Sequence, residues 1–178
     1  GADNCLTVDM GGTSFDAAMV LNGAPITANE GEINRYRIAL PMLDIVSIGA
    51  GGGSIAWMDS GGLLRVGPKS AGSEPGPACY GLGGTNPTVT DAAIILGYID
   101  PAHFLGGRML LDKKSSEKVI SALATKIGEN LERTAFAIMT VANENMIEAI
   151  KELTINEGID PTDAVLVAGG GAGGLGIV

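Results

Sequence analysis

The sequence predicts an α/β domain: a mixed sheet opened by an N-terminal antiparallel hairpin, with helices packed behind it. Three observations predict it. Apolar and polar residues alternate with period two on either side of a glycine pair near the start. Two long stretches between residues 115 and 158 carry apolar residues at helical spacing. A short aliphatic run at 163–168 leads directly into glycines, as a strand feeding a turn does. Composition agrees, because 46% hydrophobic residues with only 4% aromatics and 28 glycines suit an aliphatic core threaded by tight turns. At 178 residues the chain is long enough for a single domain over 1–178.

The hairpin comes first. Leu6, Val8 and Met10 alternate with Thr7 and Asp9; beyond Gly11-Gly12, Phe15, Ala17 and Met19 alternate with Ser14 and Asp16. A two-residue turn at the glycines would set Asp9 opposite Ser14 and Thr7 opposite Asp16, with all four on one face. Asn22-Gly23 is a second turn signal and points to a strand near Ile26. LDIVSI at 43–48 reads as a short buried strand ahead of Gly49-Ala50-Gly51-Gly52-Gly53. Ser54–Met58 and 63–66 read as a hairpin closed by DSGG.

Residues 67–91 show no usable period. A stretch that long in a compact domain is functional or disordered, and its few charges and its apolar continuation at 92–99 favour an ordered, functional loop. Residues 41–109 together form a loop-rich insertion. Two helices follow. Val119, Ile120, Leu123, Ala124 and Ile127 form one face, starting at Ser115 or Ser116 and stopping at Gly128. Leu131, Ala135, Ile138, Ala142, Met146, Ile150 and Leu153 form a longer one, closed by Gly158. The strand at 163–168 is expected to be buried. It and its glycine turn should feed a further element, so the expectation is a piece of a longer protein.

Charge and residue counts narrow the chemistry. Eleven Lys and Arg face twenty Asp and Glu, for a net charge of −9. With no basic run longer than Lys113-Lys114, nucleic acid is not an expected partner. No apolar run approaches membrane-spanning length and no leader-like pattern opens the sequence, so a soluble, cytoplasmic protein is expected. His103 is the only histidine, which leaves no multi-histidine metal site. Cys5 and Cys79 have no metal-ligand spacing and read as reduced thiols. A Cys79–His103 nucleophile and base can be drawn, but a small buried thiol and a solvent-facing imidazole near Pro101 account for both residues.

VDMGGTSFD at 8–16 carries the most chemistry. It lacks the lysine and following helix of a Walker loop. Its glycines would let backbone N–H groups approach a phosphate with no Cβ in the way. Asp9 would repel that phosphate by ~4 kcal/mol at contact for an effective dielectric near 20. A divalent cation between them reverses the sign, and Mg²⁺ is typically held by one or two carboxylates plus phosphate oxygens and water. On this reading Asp9 serves the metal and Gly11, Gly12, Thr13 and Ser14 cradle the phosphate, while Asp16 orients Thr13 or contacts the metal. A polar hairpin with nothing bound fits the same residues.

GAGGGS at 49–54 and GGGAGG at 169–174 are each weak alone, since a glycine-rich turn is usually only a turn. The second lacks a full GxGxxG register, and no acid follows it to read a ribose. Three separated glycine turns together favour a nucleotide held on several sides, with Gly51 and Gly52 from one turn and Gly169, Gly170, Gly171 and Gly173 from another. Asp91, after PTVT, is a further polar candidate for catalysis or an N-cap for the run that follows.

The sequence resembles the hydantoinase A / 5-oxoprolinase family. The matching segments are VDMGGTSFD (8–16), PMLDIVSIGAGGGSIAWMD (41–59), RVGPKSAGSEPGPACYGLGGTNPTVTDAAIILGYIDP (65–101), FLGGRM (104–109) and VANENM (141–146), in the family's order. That family is similar to the actin, sugar kinase and Hsp70 superfamily of ribonuclease H-like ATPases, in which ATP lies between two lobes. The resemblance implies that this chain is the second lobe, with 8–16 as its phosphate hairpin and 168–174 as its adenosine turn. It implies ATP and Mg²⁺ as cofactors and phosphorylation of an amide or ketone oxygen. It also implies a cyclic amide substrate such as a hydantoin or 5-oxoproline, a first lobe elsewhere, and a hydantoinase B-type subunit or domain as partner. A ketone carboxylase subunit and a non-catalytic nucleotide-binding module remain as alternatives. Family members typically close this turn with proline, leucine and histidine, where this chain reads Gly174-Leu175-Gly176.

Overall fold

In the computed structural model, which describes residues 3–28, 31–33, 36–156 and 158–176, the initial alternation becomes β1 (Cys5–Met10) and β2 (Phe15–Leu21), paired antiparallel. The register differs from the expected one. Asp9 opposes Asp16 and Met10 opposes Phe15, so the turn takes four residues, 11–14, and the Gly11 N–H donates to the Ser14 carbonyl at 3.0 Å. The shift equals one full strand period, so the two faces keep their identity. Leu6, Val8, Met10, Phe15, Ala17 and Met19 are buried, while Asp9 is exposed. Asn22 and Gly23 take positive φ (50° and 78°), as a two-residue hairpin turn of type I′ requires. They return the chain as β3 (Ala24–Pro25) along the end of β2.

Short ribbons follow: β4 (Thr27–Ala28) with β7 (Met42–Leu43), and β5 (Gly31–Ile33) with β6 (Tyr36–Ile38). β8 (Ile45–Ile48) pairs with the first half of β2. The buried strand expected at 43–48 is therefore split, and β8 alternates exposed with half-buried because only one of its faces meets the core. β9 (Ser54–Met58) and β10 (Leu64–Ser70) form the expected hairpin. The Asp59 carboxylate closes it, accepting from the Gly61 and Leu63 N–H groups and from Arg65.

β11 (Val165–Gly169) runs parallel to β1, and the other pairings of the main sheet are antiparallel. The sheet is mixed, as predicted. β11 is not buried, however; all five residues are exposed because it forms the edge of the sheet, with β1 as its one neighbouring strand among the described residues.

Three helices complete the layer: α1 (Val89–Ile95), α2 (Lys113–Ile127) and α3 (Leu131–Asn156). α2 begins ahead of the expected serines because Asp112 caps it, accepting from the Lys114 N–H at 3.0 Å and the Ser115 hydroxyl at 2.6 Å. It ends at Gly128 with φ 82°, as expected. Ile138, Ala142, Met146 and Leu153 of α3 join the apolar face of β1 and β2 in one core. Each large aliphatic side chain buried this way contributes ~1.5–3 kcal/mol, which pins the hairpin's apolar face inward and leaves Thr7, Asp9, Asp16 and the tip outside. Among the described residues no helix is long and apolar enough to cross a membrane.

Candidate active site

The hairpin tip is the hub onto which two other glycine turns pack through backbone. The Gly52 N–H donates to the Gly11 carbonyl at 3.1 Å and the Gly53 N–H to the Gly12 carbonyl at 2.7 Å. Gly51 sits so close that a Cβ there would lie 2.7 Å from Gly12 C and Thr13 N, nearer than any side-chain carbon can stand. Thr90 locks this turn from α1, its hydroxyl and its N–H both donating to the Gly52 carbonyl at 2.8 Å.

The third turn arrives with β11. The Ala172 N–H donates to the Met10 carbonyl at 2.9 Å. Gly170 has φ 85°, and a Cβ there would lie 2.6 Å from Asp9 Oδ1. Beside the tip opens a cavity of about 850 Å³, whose lining combines Gly11, Gly12, Gly52, Gly53, Gly171 and Gly174 with Tyr80, Tyr98, Phe104 and Leu105.

Of the expected residues, Gly11, Gly12, Gly52 and Gly171 line this cavity. Gly51 is buried beneath the cavity floor, and Gly169 pairs with Asp9 across the sheet. Gly173 turns away, lining a small apolar cavity of about 170 Å³ with Val8 and Met146. Asp9 and Asp16 face each other across β1 and β2 on the polar side of the sheet, next to the tip. The Asp16 carboxylate accepts from the Ser14 hydroxyl at 3.2 Å and from the Ser47 hydroxyl, so it steadies Ser14 and not Thr13 as expected. Asp9 has no side-chain hydrogen-bond partner among the described residues. Like charges directly opposed across strands are destabilising, and a cation between them would relieve the cost. No cluster of three His, Cys, Asp or Glu that could hold a metal occurs among the described residues. Asp9 and Asp16 line a groove of about 310 Å³ on the polar side of the sheet, separate from the larger cavity, together with Thr7 and Gly169. Two facing carboxylates there nonetheless fit Mg²⁺, which completes its shell with phosphate oxygens and water.

Asp91 is the clearest correction. It is fully buried and lies outside the cavity lining. Its Oδ2 accepts from the Ala78 N–H, the Thr88 N–H and the Thr88 hydroxyl, and its Oδ1 from the Cys79 N–H and the Ser116 hydroxyl. Thr88 is the N-cap of α1, and Asp91 is the third helical residue of a capping box. Five donors and a helix N-terminus occupy the carboxylate, so it clamps the turn Ala78–Tyr80 to α1 and α2.

Cys79 is buried, and that burial, with the Asp91 carboxylate adding to it, pushes its thiol far above the ordinary range. His103 stands at the cavity rim, its Nδ1 2.9 Å from Asp100 Oδ2 in an exposed pair. The Ala102 N–H first, and then His103, hold the Asp100 carboxyl below its usual range. Cys79 and His103 therefore form no nucleophile–base pair. Tyr80, Tyr98, Phe104 and Leu105 escaped sequence reasoning because loop residues carry no periodicity. A usable signal existed: the chain has only three Tyr and three Phe, and three of those six fall between 80 and 104.

A sequence model of the family described as hydantoinase/oxoprolinase matches residues 1–178. The chain belongs to the hydantoinase/oxoprolinase family. Caprolactamase subunit alpha from Pseudomonas jessenii is 45% identical over 176 residues, which is 98% of this chain and 25% of that protein. The crystal structure of the ATP-dependent caprolactamase from that organism matches with a TM-score of 0.87 and 44% identity over 96% of this chain and 25% of that chain. The acetophenone carboxylase gamma subunit from Aromatoleum aromaticum is 46% identical over 176 residues, covering 97% of this chain and 24% of that protein. A nucleotide-free structure of acetone carboxylase, an enzyme of ATP-dependent acetone carboxylation, has a TM-score of 0.91 at 30% identity, covering 99% of this chain and 25% of that chain. The mixed α/β fold is thus the one these enzymes carry. The chain spans about a quarter of the length of these relatives.

Proposed function

We propose that this chain is one lobe of a larger ATP-dependent enzyme that opens a cyclic amide such as a hydantoin, 5-oxoproline or a related lactam. The observation that carries the reading is the convergence of two glycine turns on a third, the hairpin tip, beside the facing pair Asp9 and Asp16. Free N–H groups at 12–14, and the Cβ-free surfaces of Gly12, Gly52 and Gly171, suit phosphate oxygens. Asp9 is the residue to hold Mg²⁺, which when bound offsets the charge of the triphosphate. Asp16, fixed by Ser14 and Ser47, supports Asp9 from the opposite strand. The adenosine side falls to the turn at 169–174.

An amide carbonyl is a poor electrophile, and phosphorylation repairs that. The amide oxygen bonds to the γ-phosphorus as the β–γ bridge breaks, and ADP leaves with the electron pair. Water then adds to the activated carbon and the C–N bond breaks with the proton moving to nitrogen, leaving an acyl phosphate. A second water cleaves that to the carboxylate and free phosphate. The lobe contributes positioning and charge. The remaining groups belong to a first lobe and to a hydantoinase B-type subunit or domain, in keeping with relatives that are themselves subunits. A requirement for ATP supports a cytoplasmic location for the whole enzyme.

A ketone carboxylase is the second reading, favoured by the 46% identity to the acetophenone carboxylase gamma subunit. The same site would phosphorylate a ketone oxygen ahead of carboxylation. Phosphate release by the full-length protein with its partner subunit and Mg²⁺ separates the two. Stimulation by hydantoin, 5-oxoproline or caprolactam supports the first, and stimulation by acetone or acetophenone with bicarbonate supports the second. Saturable ATP binding without stimulation by any of them would make the chain a nucleotide-binding module. Within either chemistry, Asp9→Asn should weaken Mg²⁺-dependent ATP binding by ~100-fold, equivalent to about 2.7 kcal/mol; equal binding by the variant would remove Asp9 from the metal.

A further inference from the structure

The cavity lining combines two unlike sets of residues, and the nucleotide reading uses only the glycines. We propose that the apolar set, Tyr80, Tyr98, Phe104 and Leu105, is the subsite for the phosphoryl acceptor, a small carbonyl compound with an apolar body. The proposal rests on the nucleotide reading and extends it.

The order of parts along the cavity comes first. Ala172 of the third turn packs against Gly52, since a Cβ on Gly52 would stand 3.6 Å from the Ala172 Cβ. On its other side Gly53 meets the turn at Gly72, with a built Cβ 3.7 Å from the Gly72 carbonyl oxygen. That turn is closed by the Gly76 N–H donating to the Ala71 carbonyl at 3.2 Å, and Gly76 lies under the Tyr80 ring. The sequence of surfaces is therefore the 171–175 turn, then the hairpin tip with Gly52 and Gly53, then Tyr80 and its neighbours. With the nucleoside at the first and the phosphates at the second, in-line transfer requires the acceptor oxygen at the third.

Leu105 supplies the second observation. Its φ is +53°, a region that costs a bulky L residue ~1–2 kcal/mol. Gly106 and Gly107 follow immediately, so glycine would have been the cheaper occupant. The conformation is nevertheless fixed by the Gly106 N–H to the His103 carbonyl at 3.1 Å and the Gly107 N–H to the Phe104 carbonyl at 3.0 Å. The strained backbone delivers a leucine that is 57% exposed onto the cavity wall. Backbone strain held by a non-glycine residue clusters at active sites and ligand clamps, which is where the cavity lining puts Leu105.

The rest of the wall is pre-set. Tyr80 and Phe104 pack ring against ring at 5.8 Å, tilted by 42°, and Asp91 holds the turn that carries Tyr80. An apolar surface with a few polar groups at its edge is how small-molecule pockets select a ligand body and orient one oxygen. Asp100 and His103 supply that edge.

The test uses the full-length protein with its partner subunit, Leu105→Gly and Tyr98→Ala variants, and whichever lactam or ketone with bicarbonate stimulates phosphate release. Loss of apolar contact should raise the acceptor KM at least about tenfold, with Mg·ATP affinity measured without acceptor changing less than about twofold. The thermal midpoint of Leu105→Gly should not fall, since the backbone strain is relieved. Unchanged acceptor KM in both variants would overturn the proposal while leaving the nucleotide reading standing. Weakened ATP binding with unchanged acceptor KM would overturn it by assigning the wall to the adenine ring. A wild-type protein that binds ATP but releases no phosphate with any acceptor would overturn the proposal and the enzyme reading, leaving a nucleotide-binding module.

Discussion

Replacing Asp91 distinguishes a structural clamp from a catalytic acid, and its geometry sets a graded outcome. Asp91→Ala removes the acceptor of five donors. The Thr88 and Ser116 hydroxyls can re-aim, but the Ala78, Cys79 and Thr88 N–H groups cannot. An unsatisfied buried donor costs ~1–3 kcal/mol, so three of them, with some water admitted to the gap, predict a local loss of about 4 kcal/mol. Asp91→Asn should cost less. With its amide nitrogen in the Oδ1 position, Ser116 can rotate to accept and only the Cys79 N–H is orphaned, for about 2 kcal/mol. Hydrogen exchange on the full-length protein reads this directly, through the opening free energy of amides in the Ala78–Tyr80 turn and the first turn of α1. Protection should fall in the order wild type, Asn, Ala. Full protection in both variants together with abolished turnover would refute the clamp and restore Asp91 as a reacting group.

Other outcomes follow from the same contacts. Gly51→Ala would force a Cβ against the hairpin backbone at 2.7 Å and should destabilise the lobe by ~1–3 kcal/mol in thermal unfolding. Gly12→Ala meets no atom within 4 Å, so it should keep the melting temperature but weaken nucleotide binding about tenfold in calorimetry, because its methyl group enters the cavity. The Ser115 hydroxyl, and then backbone N–H groups, hold the Asp112 carboxyl below the usual carboxylate range. Its folded value therefore lies below its unfolded one, and its stabilisation is complete above about pH 4 and lost as pH falls through the folded value. The melting-temperature gap between wild type and Asp112→Ala should be constant at neutral pH and close in acid. Cys79, buried and with its thiol pushed up mainly by that burial, should resist alkylation at pH 8 until the protein is unfolded, as peptide mass mapping would show.

The parts of the fold fixed by periodicity were legible and the parts fixed by long-range hydrogen bonds were not. Alternation in β1 and β2 gave the correct faces even though the turn is two residues longer than the glycine pair suggests, because a shift of two preserves side-chain direction. Helix ends were read well at Gly128, where a glycine at positive φ stops the chain. The start of α2 was missed because Asp112 was not recognised as a cap. Burial of β11 was inferred from its aliphatic run, yet an edge strand with one neighbour stays exposed. At the site, the glycines were visible as types, whereas their convergence depends on backbone contacts between residues 11–12 and 52–53 that no local pattern encodes. Asp91 was visible only as an acid following hydroxyls; the Cys79 N–H and Ser116 hydroxyl that saturate it lie 12 and 25 residues away.

The most direct test is a structure of the full-length enzyme with Mg²⁺ and a non-hydrolysable ATP analogue. Phosphate oxygens should lie within hydrogen-bonding distance of the N–H groups at 12–14, with the metal on the Asp9 side and the γ-phosphate pointing toward Tyr80. A nucleotide bound elsewhere, with the tip between Asp9 and Asp16 occupied only by water, would contradict the account.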